Sequence, residues 1–239
     1  MYIMEKAIRI ECYQNLVNYR KPSSILIKES FPLPPYSTVL GMIHAACQYT
    51  EFHPMMLSIQ GTNAGSVSEL YTRYSFKPGA KYEKERHQIC IEEGDKQYGV
   101  FKGIGNVELI CDNHMLLHVA PAEEDFETVY HALKYPPRYL SLGRYEDILD
   151  VINVELVELH KKEGADVNRD IYIPVDTELD LGNYSTTVYT LTKEYEPTKL
   201  GQIRRWKKDG GKVKAYYFLK GTKLEEGIVD EYGDLVVLV

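Results

Sequence analysis

Three prolines within four residues, Pro32, Pro34 and Pro35, stop any regular element in this 239-residue chain, so the following segment must start afresh. That segment, YSTVLGMIHAAC, reads as a helix with Ser37 as its N-cap. Val39, Leu40, Met42, Ile43, Ala46 and Cys47 fall in one broad apolar stripe, with His44 at its edge. Gly41 lies opposite the stripe, where the missing side chain permits close approach by another backbone. Before the prolines, Ile8, Ile10 and Cys12 alternate with Arg9 and Glu11, which predicts a first strand over Ala7–Tyr13. Between strand and brake stands a basic-aromatic triplet, Tyr19, Arg20 and Lys21. The triplet can hold a polyanion, and the helix can hold the triplet against a core.

Further elements follow from the same periodicities. A short strand is expected at Met55–Gly61, and a long strand pair or loop excursion over about 65–100. Asn106–Ala120 reads as one or two strands turning at Asp112-Asn113. Phe126–Leu133 reads as a second helix, stopped by Pro136-Pro137. The order approximates the split βαβ arrangement of a ferredoxin-like domain. After about residue 150 the runs Ile152–Leu159, Ile171–Val175, Ser185–Thr192, Val213–Leu219 and Leu235–Val239 are alternating or β-branched. The expectation is an α+β chain: a ferredoxin-like domain over 1–150 and a smaller β-rich region over 151–239, or an extension of the first sheet.

Composition is that of an ordinary globular protein, 44% hydrophobic and 26% charged, with no run long enough for a membrane helix. The N-terminus does not read as a signal peptide. Cys12, Cys47, Cys90 and Cys111 are widely spaced, which gives neither a zinc ribbon nor a disulfide framework and points to an intracellular chain. The net charge of −7 counts against solitary binding of nucleic acid, but the charge is uneven. Residues 199–223 carry nine basic residues against one acid, whereas 155–180 carries eight acids against three bases. A local basic patch on an acidic body can still meet phosphates.

Two segments mix cations with aromatic rings. In LYTRYSFKPGAKYEKERH, Tyr71, Tyr74, Phe76 and Tyr82 interleave with Arg73, Lys77, Lys81, Lys84 and Arg86, around a Pro78-Gly79 turn. Bases stack on rings while cations hold phosphates, so single-stranded nucleic acid suits this alternation; an exposed hairpin with solvated charges is the alternative. In IRRWKKDGG, Arg204, Arg205, Lys207 and Lys208 flank Trp206, the chain's one Trp. Those cations could neutralise several phosphates, or form a solvated loop. Lys102-Gly103-Ile104-Gly105 lacks phosphate-loop spacing and reads as a strand-to-strand turn. The seven histidines form no metal-binding pattern, and no cofactor motif is present. His44 or His87 could act as a general base toward a ribose hydroxyl, with Tyr19, Lys84 or Arg86 steadying charge; each could equally be a packing or surface residue.

The stretches NYRKP at 18–22, PPYSTVLGMIHAAC at 34–47 and YLSLGRYED at 139–147 together resemble the Cas-five family, the RAMP-type subunit of type I CRISPR surveillance complexes. The ending, KVKAYYFLKG followed by VDEYGDLVVLV, is similar to the type I-B branch. The resemblance implies a ferredoxin-like RAMP domain with a projecting hairpin at 70–87, and a β-rich C-terminal region. It implies a non-catalytic cytoplasmic subunit that caps the 5′ handle of the crRNA. Such a subunit would touch the backbone and large subunits of Cascade and work near target DNA in antiviral defence. Matching positions place Tyr19, Arg20 and Lys21 near the handle, Ser37 and Thr38 at the helix start, where free N–H groups favour a phosphate, and Arg144 in the LGR turn. The alternative, metal-independent cleavage of precursor RNA as in type I-C, would need a Lys-His dyad whose nearest match here is Arg86-His87. A third reading is a protein-interaction module whose basic segments meet acidic partners.

Overall fold

The computed structural model describes residues 5–177, 186–197 and 204–239. Strand β1 (Lys6–Val17) is longer than its alternation predicts and pairs antiparallel with two later strands, β6 and β7. A short β2 (Ile27–Lys28) follows, then helix α1 (Tyr36–Cys47), β3 (Met55–Thr62), β4 (Ser66–Ser75) and β5 (Ile89–Glu93). Next come β6 (Lys96–Pro121), helix α2 (Phe126–Lys134) and β7 (Asp150–Glu158). The remaining strands are β8 (His160–Asp166), β9 (Asp170–Pro174), β10 (Thr187–Thr192), β11 (Tyr195–Pro197), β12 (Arg204–Trp206), β13 (Lys212–Phe218) and β14 (Lys223–Val229). Strand dominates the described residues, and the two helices are a minor share. No described helix is long and apolar enough to cross a membrane.

The main sheet runs β10-β13-β9-β3-β6-β1-β7, so the strands after residue 150 extend the sheet begun by the first ones. Ile8, Ile10, Leu57, Ile59, Leu117 and Val119 alternate inward along three neighbouring strands. They share one core with Val39, Leu40 and Ile43 of α1 and Phe126, Val129 and Leu133 of α2. Transfer of these side chains from water is the main force holding helices to sheet.

The opposite face is covered too, which alternation in β1 does not foretell. Arg9 points to that face yet is only 4% exposed. Its guanidinium bonds Asp230 and Asp234 at 3.0 Å each and Glu155 at 3.1 Å, while His118 Nε2 meets Asp230 at 3.0 Å. These ion pairs pin the C-terminal segment across the sheet, where Leu235, Val236 and Val237 are buried. The predicted strand at 235–239 is not a named strand. The segment makes a bridge from Leu235 to Val229 and two backbone bonds of 3.1 Å between Val239 and Leu57. Strands β8 and β14, unforeseen from sequence, pair with each other beside it.

Three local expectations are corrected. The chain does not turn at Asp112-Asn113: the ladder to β1 runs through it, with Gln14 opposite Asn113 and Leu16 opposite Cys111. Asp112 instead takes a left-handed φ of 53°, which a short polar side chain tolerates. The turn falls on the partner side, where β3 ends opposite His114 and β4 starts opposite Ile110. Gly103 and Gly105 lie inside β6 and form no turn. Gly41 receives no close neighbour. The cysteines are free thiols, with Cys12 buried. Ser185 and Lys199 lie outside the described residues.

Candidate nucleic-acid interface

The triplet at 19–21 divides. Tyr19 is 1% exposed; its hydroxyl donates to Gln14 Oε1 at 2.7 Å and accepts from Asn113 Nδ2 at 2.9 Å. Burial pushes that hydroxyl well above its ordinary pKa, so Tyr19 is a core residue and offers no ring to a ligand. Arg20 is exposed. Lys21 is half-buried, with Glu29 at 3.5 Å and the Tyr189 ring at 6.0 Å.

The LGR turn does meet this segment. Arg144 forks onto buried Asp147, Nη2 to Oδ1 at 2.6 Å and Nε to Oδ2 at 3.1 Å, and pairs with Glu146 at 3.1 Å. Asp147 Oδ2 also accepts the Asn18 N–H at 3.1 Å. Gly143, at φ 111°, lies so close that a Cβ there would come within 3.0 Å of the Asn18 carbonyl oxygen. Bonding to Asp147 raises the pKa of Arg144, so the residue stays charged while serving as a brace. Asn18, which sequence reasoning passed over, ties the region together by donating to the carbonyls of Lys28 and Glu108 at 2.9 and 2.7 Å.

At the start of α1 the cap is Pro35, not Ser37, and it supplies no side-chain bond. Ser37 Oγ sits 2.6 Å from Thr192 Oγ1, and the Thr38 N–H donates to Pro35 O at 2.9 Å. Both residues are half-buried, and the Thr38 N–H expected to be free for a phosphate is already engaged. His44 is buried, with Nδ1 2.7 Å from Leu40 O and Nε2 accepting the His53 N–H at 2.9 Å. His87 is also buried; Nδ1 accepts the Glu83 N–H at 3.0 Å, and the ring packs on Gly99 and Phe101. Neither histidine is placed as an accessible general base.

The predicted excursion is a sheet of β4, β5 and the first half of β6. Arg73 sits opposite Gly103 and Tyr74 opposite Lys102. One face carries Tyr71 against Gly105, with Lys28 Nζ 3.9 Å from the Tyr71 ring centre. The other carries Leu70, Ile104 and Tyr74, all exposed. Arg73, Lys77, Lys81 and Arg86 are exposed, and Arg86 lies 5.6 Å from the Phe101 ring and 3.9 Å from Glu83.

The basic segment at 204–208 is partly neutralised. Arg205 pairs with Glu196 at 2.6 Å and Lys207 with Glu194 at 2.7 Å, and Lys207 also covers the Phe52 ring. Trp206 is 43% exposed and Lys208 is exposed; the side chain of Arg204 lies outside what is described. No group of three metal-ligating side chains occurs among the described residues.

No curated protein matches the chain. A solved chain described as "CRISPR RNA-guided surveillance complex" shares the fold at a TM-score of 0.53 and 15% identity, over 97% of this chain and 94% of that one. A "CRISPR protein from Archaeoglobus fulgidus" aligns at a TM-score of 0.48 and 12% identity, over 98% of each chain. The family model for CRISPR-associated protein (Cas_Cas5) matches residues 7–202, and the chain belongs to that family.

Proposed function

We propose that this chain is a non-catalytic, RNA-binding subunit of a type I-B-like Cascade that holds the 5′ handle of the crRNA. The observation that carries the reading is the exposed hairpin with Arg73, Lys77, Lys81 and Arg86 among aromatic rings, on a chain of this family. Arg20, Lys21 and Lys28 would continue that surface toward the core, and Trp206 with Lys208 would add a second contact. The strand order β3-β6-β1-β7, with α1 and α2 joining its members, supports a ferredoxin-like RAMP core whose last strand runs past residue 150 to Glu158. The acidic stretch 155–180 would meet basic neighbours in a cytoplasmic assembly working near target DNA, alongside backbone and large subunits. The burial of both rings, with both nitrogens of His44 and Nδ1 of His87 engaged, favours holding RNA over cutting it.

The test is co-expression with partner subunits and guide RNA. Replacing Arg73, Lys77 and Lys81 by Glu should release the guide RNA, and the salt dependence of retention should weaken by about one unit of slope per lost phosphate contact. Unchanged retention would refute the RNA-holding reading. A defined cut of repeat RNA in EDTA, abolished by His87→Ala, would refute the non-catalytic one.

A further inference from the structure

β7 closes one end of the main sheet. It pairs with β1 on one side, and no described strand pairs with its other side. An unpaired edge presents backbone N–H and C=O groups that another chain can complete. Beside this edge the α2–β7 connection forms a groove of about 400 Å3, walled by Pro136, Tyr139, Leu140, Leu149 and Val151. Of its lining Tyr139 is 91% exposed, and Tyr135, Ile148 and Ile152, neighbours of lining residues in the chain, are 70%, 55% and 57% exposed. Aromatic residues are enriched among the anchors of protein interfaces.

The charges select the occupant. Lys134, Arg138 and Asp150 line the groove. Lys134 Nζ bonds Tyr130 at 2.6 Å, whereas the Arg138 guanidinium is exposed and has no carboxylate partner among the described residues. An unpaired guanidinium beside an apolar groove fits a carboxylate that follows an apolar side chain. A second copy fits poorly: two β7 edges paired antiparallel about Val154 would set Asp150 against Glu158, like against like. The bulge that brings Cys12 opposite Val151, with Ile152 extra, further spoils a flat self-pairing.

We infer that the β7 edge and its groove dock an extended segment of a partner protein, one apolar side chain seated in the groove and an adjacent Asp or Glu on Arg138. This surface is separate from the RNA-holding hairpin, and its occupancy does not rest on RNA binding.

The test uses the full chain co-expressed with its partner subunits, carrying photoactivatable benzoylphenylalanine at Tyr139 or Ile152, exposed positions where it leaves the core intact. A control places the same group at Tyr74 on the hairpin. The expected result is a crosslink from both positions, one in the groove and one on the β7 edge, to a different protein, mapped to a stretch containing an apolar residue next to Asp or Glu. Arg138→Glu should cut the yield about tenfold with RNA content unchanged. Crosslinks to RNA, to a second copy or to a lysine-rich stretch would overturn the inference, as would no crosslink at either position. Loss of RNA linkage at Tyr74 alone would sink the functional reading and leave this one standing.

Discussion

The two halves of β6 are one strand in two environments. From His114 to Val119 it lies between β1 and β3, with helices on one face and the pinned C-terminal segment on the other. Leu117 and His118, adjacent and pointing opposite ways, are both 0% exposed. From Lys96 to Asn106 the same strand has only hairpin partners besides the end of β2, and Ile104 is 79% exposed. Exposure there is uneven, since Val100 is only 3% exposed, but at Ile104 burial contributes little and the side chain is free to meet a ligand.

The comparison can be broken in order of expected effect. Arg9→Ala, which removes the buried cation shared by Asp230 and Asp234, should cost about 3–5 kcal/mol in denaturant unfolding. A loss below about 1 kcal/mol would mean that the C-terminal segment is not held by this network. Leu117→Ala should cost about 2–5 kcal/mol by the same measurement, through lost burial and the cavity left behind. Ile104→Ala in the outer half should stay within about 0.5 kcal/mol of the parent. An effect on Ile104 as large as that on Leu117 would show that the two halves are not distinct.

Acid gives a further test. Burial favours the neutral acid, yet hydrogen bonds from His118 and the Asp234 N–H, with the nearby Arg9 charge, hold Asp230 below the ordinary carboxylate range. A lowered folded pKa means the stabilisation is in place above the unfolded value near pH 4 and is lost as pH falls through the folded value. Thermal unfolding followed through that window should show acid destabilisation, reduced in Asp230→Asn. Identical acid profiles for parent and variant would remove Asp230 from the account. The smallest effect sharpens the contrast: amides of residues 101–106 should exchange with solvent before those of 115–119.

Much of this was legible in the residues. Alternation found β1, the apolar stripe found α1, and the β-branched runs located β7, β9, β10 and β13. Composition marked out the hairpin. What alternation could not give was the fate of the second face, because a strand's pattern separates two sides without saying whether a distant segment will cover the other. The burial of Arg9 is therefore not legible in the alternation of β1. Asp112 misled because Asp-Asn favours turns in isolation, while the ladder to β1 kept the strand running. Ser37 misled because Pro35 had already taken the cap. In the site, Tyr19 was grouped with its charged neighbours by type. Continuing the period of two from buried Val17 would have turned Tyr19 inward and Arg20 outward. Pairing partners such as Asp147 for Arg144 and Glu194 for Lys207 depend on folded proximity.

The shared strand has a mechanical consequence. With no linker between core and hairpin, β6 works as a lever whose fulcrum is buried, and Asp112 is its elbow, set where β3 hands over to β4. A push at the tip is carried as shear along ladder bonds and is not absorbed by a slack hinge. Whatever grips the hairpin also grips the frame that carries the rest of the molecule.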